Sequence, residues 1–266
     1  MKKIRIFAIL ATIIAIIALV YGSFKIYKLK KEYSEVEETY EEIQNICIDE
    51  APPEISILQP EEDNKSNISE DSIIEEQAVK ENFKVNWEEL KSINQDAIAW
   101  IKIDGTNINY PIVQGTDNEE YIKRNIYGNY SKGGCIFVDM NIEKPFKALN
   151  TIIYGHNLND GAMFNNLKKY SNEQYAKNHD EIHIYLPEED RIYKVFAFGK
   201  INENNNKIYN TSIINLEKYY QMIQEYNQIN IAENLDYSKP VIMLSTCTNS
   251  NRKERYVVVA YLSEQE

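Results

Sequence analysis

Residues 99–115, "AWIKIDGTNINYPIVQG", decide the fold. Ile101 and Ile103 alternate with polar neighbours before the Asp104-Gly105 pair, and Ile108, Tyr110 and Ile112 alternate after it. A period of two belongs to a strand with one face buried. An Asp-Gly pair between two such runs is the sequence mark of a hairpin. Working outward, the same pattern returns in "GCIFVDM" (134–140), "NTIIYGH" (150–156), "EIHIYLP" (181–187) and "RIYKVFAFGKI" (191–201). It appears twice more near the end, in "KPVIMLSTC" (239–247) and "RYVVVAYL" (255–262). Helical patterns interrupt them at 161–171 and 215–229, and Asn86 is placed to cap a short helix bearing Trp87, Leu90 and Ile93. About eight strands with few helices indicate a mainly β domain with helical insertions, a barrel or a sandwich.

Upstream the composition changes. Residues 6–24, "IFAILATIIAIIALVYGSF", carry no charge and are flanked by seven lysines and arginines within the first 31 residues. Nineteen residues approach the ~20 needed to cross a hydrocarbon core. A cleaved signal has a shorter apolar core and a small-x-small site, so this run reads as an uncleaved membrane anchor. Basic residues on both sides leave its orientation open.

Residues 32–82 hold 17 acidic and two basic residues, whereas residues 83–266 hold 24 and 20. The acidity of the chain, −12 overall, therefore belongs to a stalk, and the nearly balanced remainder offers no basic face for nucleic acid. Within the stalk, Tyr33, Val36, Tyr40, Ile43 and Cys47 recur at spacings of three and four. Two heptads are too few for a coiled coil, and a solvated acidic helix is the simpler expectation. The Pro-, Glu- and Asn-rich stretch that follows reads as linker. The expected organisation is an anchor at 1–31, an acidic stalk at 32–82 and a folded domain at 83–266.

Three cysteines, at 47, 135 and 247, exclude a disulfide framework and a CxxC metal site. Cys135, inside "GCIFV", reads as a small buried hydrophobe. Cys247 ends a strand and faces a polar loop. If the last two strands pair across that loop, Arg255 returns beside it. A thiol with an ordinary pKa of about 8.5 is mostly protonated at neutral pH and needs a base or cation to react. His156, at the end of "TIIYGH", is the histidine in a comparable place. "HDEIH" (179–183) lacks the Glu that a helical zinc motif places after its first histidine, and no metal is expected there.

"LSTC" after an apolar strand, an arginine eight residues on and "YGH" upstream together resemble the sortases, membrane-anchored cysteine transpeptidases of Gram-positive bacteria. "WIKIDGTNINYPIVQGTDNEEYI", "IIYGHNLNDGAMFNNLKKY" and the helical segment 215–229 are similar to class B in particular. Met243 stands where threonine is common in the family. The resemblance spans residues 83–262 and implies an eight-stranded β-barrel with an N-terminal helix and a helix before the cysteine strand. It implies Cys247 as nucleophile, forming a thioester with a sorting signal of the Pro-x-Thr type. It implies His156 as general acid and base, and Arg255 at the oxyanion. Ser245 and Thr246, beside the nucleophile, are assigned to substrate contacts, and Arg252 lies at a spacing that does not match.

The same resemblance implies secreted surface proteins as substrates, a peptidoglycan precursor or pilin amine as acceptor, and no cofactor. It also puts the catalytic domain outside the cell, on a single membrane pass. Two alternatives stay open at this level: a protease that passes the thioester to water, and a membrane-tethered binding domain indifferent to Cys247.

Overall fold

The computed structural model describes residues 2–51, 82–231, 235–247 and 253–265. The expected linker between 52 and 81 and the loop residue Arg252 lie outside them, as does the side chain of Cys247.

The 99–115 hairpin forms as its alternation requires. β3 (Ala97–Lys102) pairs antiparallel with β4 (Asn109–Val113) around Gly105, whose φ of 69° suits the absence of a Cβ. They belong to a closed eight-stranded barrel completed by β5 (Ile136–Val138), β6 (Asn150–Tyr154), β7 (Glu181–Tyr185), β8 (Asp190–Asn202), β9 (Val241–Cys247) and β10 (Glu254–Gln265). Around the ring the order is β10, β8, β7, β3, β4, β5, β6, β9. Most neighbours are antiparallel, but β4–β5 and β6–β9 are parallel. Closure leaves no free edge, and alternate side chains of every strand fill the interior.

Helices cover the outside. α2 (Trp87–Ile93) starts where expected, with Asn86 Oδ1 accepting from Glu89 N at 3.1 Å and Leu90 buried. The stretch after His156 is a 3₁₀ helix, Phe164–Ser171, followed by α3 (Glu173–Asn178). α4 (Leu216–Tyr226) precedes the cysteine strand, capped by Asn215 and packed through Tyr219, Tyr220 and Ile223.

The N-terminal segment departs from expectation. α1 (Lys2–Cys47) is one helix of 46 residues, about 70 Å at 1.5 Å per residue. Its first half is long and apolar enough to cross a membrane, and its large side chains from Phe7 to Leu29 are exposed. Its second half is docked on the barrel: Val36, Tyr40, Ile43 and Cys47 are buried, against the solvated helix expected there. Gln44 Nε2 donates to the Asn109 carbonyl at 2.8 Å, and Lys132 Nζ lies 3.3 Å from Glu32 and 4.9 Å from the Tyr33 ring centre. The three-and-four spacing marked an apolar stripe correctly. What covers the stripe is the chain's own barrel. β1 (Ile48–Ala51) continues from α1 and pairs with β2 (Asn82–Val85), closing this side.

Candidate active site

β6, β9 and β10 are consecutive in the ring, and their registers bring the candidate residues to one end. β6 runs parallel to β9 with Tyr154 opposite Ser245, and Gly155 N donates to the Ser245 carbonyl at 3.2 Å. Two residues further along both chains stand His156 and Cys247. β10 runs antiparallel to β9 with Arg255 opposite Cys247. One row across three strands therefore carries His156, Cys247 and Arg255. Because side chains alternate, Tyr154, Ser245 and Val257 form the row beneath on the same face.

That lower row is a built floor. Ser245, 1% exposed, shares a 2.9 Å hydrogen bond with the phenol of Tyr209. The Tyr209 ring stacks on Tyr154 at 6.4 Å, and Tyr154 Oη donates to Asp139 Oδ2 at 3.0 Å. Burial, followed by the Asp139 carboxylate, pushes the Tyr154 phenol far up, while the cation of Arg255 acts in the opposite sense. Tyr154 thus remains a neutral donor beside the guanidinium. Tyr209 comes from the segment between β8 and α4, so this segment forms a wall of the site.

Arg255 is held from the other side. Its Nη2 donates to Glu203 Oε2, and Glu203 is fixed in turn by its N–H to the Lys253 carbonyl at 2.8 Å. Arg255 Nη1 also donates to the Glu254 carbonyl at 3.3 Å, and a planar fork held at both terminal nitrogens has its orientation set.

His156 is half-buried, and its Nε2 lies 2.7 Å from the Ile122 carbonyl. A carbonyl only accepts, so Nε2 carries the proton and Nδ1 keeps the lone pair. Burial holds the imidazole below its ordinary value of 6.5; the Ile122 bond opposes this, and Lys123 adds to it. The ring is accordingly neutral at pH 7. Gly155 before it is tightly seated: a Cβ there would come within 2.5 Å of Ile136 Cδ1 and 2.8 Å of the Phe164 ring. A pH effect follows. The unfolded chain binds the His156 proton at 6.5 and the folded one only at lower pH, so His156 costs stability as pH falls through 6.5. His156→Gln, which can still donate to Ile122, is expected to reduce the loss of Tm on acidification relative to wild type. Parallel thermal melts across that range check it.

The remaining sequence candidates fall elsewhere. Thr246 is 2% exposed on the opposite face from Cys247, and its hydroxyl finds no partner among the described residues. His179 Nδ1 donates to the Tyr175 carbonyl at 2.8 Å, and His183 Nε2 lies 3.8 Å from Asp104. The other two thiols are held protonated by burial, Cys47 pushed up to about 11 and Cys135 to about 12. Sequence reasoning missed Tyr154, Tyr209, Asp139 and Glu203. Tyr154 alone left a signal, two residues before His156 on the same strand face.

Comparison with known proteins identifies the family. The Sortase domain family model matches residues 101–263. Sortase B of Staphylococcus aureus (strain NCTC 8325 / PS 47) is 32% identical over 185 residues, 68% of this chain and 75% of its own. Sortase B of Listeria monocytogenes serovar 1/2a (strain ATCC BAA-679 / EGD-e) is 28% identical over 172 residues, 63% of this chain and 69% of its own. The crystal structure of sortase B from B. anthracis in complex with AAEK1 superposes with a TM-score of 0.67 at 26% identity, covering 88% of this chain and 99% of that one. With an eight-stranded barrel, a histidine, cysteine and arginine on one row, and a family match across most of the folded part, the chain belongs to the sortases, cysteine transpeptidases, and within them to class B.

Proposed function

We propose that this sortase cleaves a Pro-x-Thr type sorting signal on secreted surface proteins and transfers the acyl group to a cell-wall or pilin amine. The observation that carries this reading is the single row of His156, Cys247 and Arg255 across β6, β9 and β10. Cys247 attacks the scissile carbonyl carbon. His156 Nδ1 takes the thiol proton and returns it to the leaving amine as the C–N bond breaks, leaving a thioester. The incoming amine then loses its proton to the same nitrogen and displaces the thiolate, which takes that proton back from His156 and regenerates the free enzyme. The fork of Arg255, steadied by Glu203, donates to the oxyanion formed in each half-reaction. Substrate contact falls to the half-exposed Tyr209, held by Ser245 beneath it, since Ser245 and Thr246 are both buried.

Residues 1–31 serve as the anchor and residues 83–266 as the catalytic domain, which faces the outside of the cell. Of the expected stalk at 32–82, the part to Cys47 acts as a docked strut. Support for this comes from the exposed apolar half of α1, continuous with a half buried on the barrel.

Intact-mass measurement of the full chain in detergent, mixed with a Pro-x-Thr peptide library, tests the thioester. An acyl adduct on wild type that is absent from Cys247→Ala supports it, and the same adduct on both proteins would refute it.

A further inference from the structure

Two walls hold His156, and the docked half of α1 supports both, one directly and the other through Tyr110. The first wall is the loop 157–163, which leaves the histidine and returns to it. Phe164 N donates to the His156 carbonyl at 2.8 Å, and Asn157 bridges to Met163. Met163 has a φ of 56°, a left-handed backbone that methionine adopts only where its surroundings impose it. Its N–H donates to Tyr110 Oη at 3.0 Å, and the Tyr110 ring meets Tyr40 edge-on at 5.2 Å.

The second wall is the segment 121–135, which supplies the Ile122 carbonyl to His156 Nε2. Gly134, with a φ of 58°, passes so close that a Cβ would lie 2.4 Å from the Tyr121 carbonyl oxygen and 2.6 Å from that of Ile122. Tyr40 Oη donates to the Gly134 carbonyl at 2.5 Å, which pins this crossing from outside. Val36 packs on this wall at Gly133, where Leu158 of the first wall also approaches: a Cβ on Gly133 would meet Val36 Cγ1 at 2.7 Å and Leu158 Cδ1 at 3.4 Å. Val36 and Tyr40 are 2% and 3% exposed, so neither is loosely laid on the surface.

We propose that Val36 and Tyr40 are positioning residues for His156, so that the helix running back to the membrane anchor also braces the catalytic imidazole. This rests on the role given to His156 above. The physical case is that both walls are loops, one containing a strained residue, and loops hold a side chain only as firmly as their own supports. Tyr40 supplies a hydrogen bond to one wall, and its ring meets Tyr110, whose hydroxyl accepts the Met163 N–H of the other. Val36 packs where the two walls approach each other, in the same buried cluster as Leu158. Neither touches substrate in this account, so their effect passes through the orientation of His156.

The test uses the full chain in detergent micelles, with the best-cleaved peptide of a Pro-x-Thr library and triglycine as acceptor. Tyr40→Phe keeps the ring and removes the hydroxyl; Val36→Ala trims the packing at Gly133. A stability control is Ile184→Ala on β7, fully buried and four strands from β6 in either direction around the ring. Misplacing a catalytic group by a fraction of an ångström costs rate more than affinity, so both α1 variants are expected to lose about tenfold in kcat with KM within about twofold. Ile184→Ala is expected to lose at least as much Tm and to keep its kcat. Wild-type kcat in Tyr40→Phe and Val36→Ala would overturn the proposal, as would kcat falling in step with Tm across all three variants. His156→Gln in the same assay separates the two levels. If it is inactive while the α1 variants are normal, only the brace is wrong; if it keeps full activity, the assignment of His156 fails and the brace falls with it.

Discussion

Arg255→Lys is expected to lower kcat by about two to three orders of magnitude, the range seen when an oxyanion donor is removed, with a small change in KM. The charge survives this substitution, but the geometry does not. Arg255 gives Nη2 to Glu203 and Nη1 to the Glu254 carbonyl, which fixes the plane of the fork at the strand position opposite Cys247. A lysine ammonium is one point at the end of a flexible stem, and it cannot hold Glu203 and meet an oxyanion at a fixed angle together. Steady-state kinetics with a cleavable peptide check this. Retention of activity within about threefold of wild type would mean that positive charge alone suffices, and would remove the reason for Glu203 to hold the fork.

A chain beginning at residue 83 is expected to be far less stable than one beginning at residue 33. The shorter chain loses Val36, Tyr40, Ile43 and Cys47 from the barrel surface, and β2 loses its β1 partner. At about 1.5–3 kcal/mol per large buried side chain, the loss approaches 6–10 kcal/mol as an upper bound. Whole domains are stable by only about 5–15 kcal/mol. Even half that loss should lower Tm by about 6–20 °C for a domain of this size. Thermal unfolding of the two fragments gives the comparison. Equal Tm values would show that the docked half of α1 adds nothing to the barrel.

The same helix shows where the sequence stops being informative. Tyr33, Val36, Tyr40, Ile43 and Cys47 announce an apolar stripe, but periodicity is silent about what covers it. Solvent, a second helix and the chain's own barrel all fit the same five positions. Local features were legible because their physics is local. The alternation around Asp104-Gly105 predicts the β3–β4 hairpin, and Asn86 predicts the start of α2. The eight-residue spacing from Cys247 to Arg255 anticipates the register of β9 and β10, since strands joined across a short loop pair in order.

The parallel pairing of β6 with β9 joins residues 91 positions apart, and no local signal announces it. It is nevertheless what sets His156 level with Cys247. Sequence resemblance supplied that partnership before geometry did. Tyr209 and Glu203 come from the segment after β8, which carries no motif of its own. The acceptor of His156 is the carbonyl of Ile122, and a backbone group leaves no mark in the residue letters. The stretch after His156 was legible as helical, but its 3₁₀ form, which depends on packing beneath the barrel, was not.

The most direct test of the central assignment is the product ratio of wild type and Cys247→Ala with a Pro-x-Thr peptide, each with and without an added amine. The account predicts no cleavage by the variant. For wild type it predicts an amide product that appears with the amine and grows at the expense of the hydrolysed acid. Equal cleavage by both proteins would remove Cys247 as nucleophile, and an acid product unchanged by any amine would make the enzyme a protease.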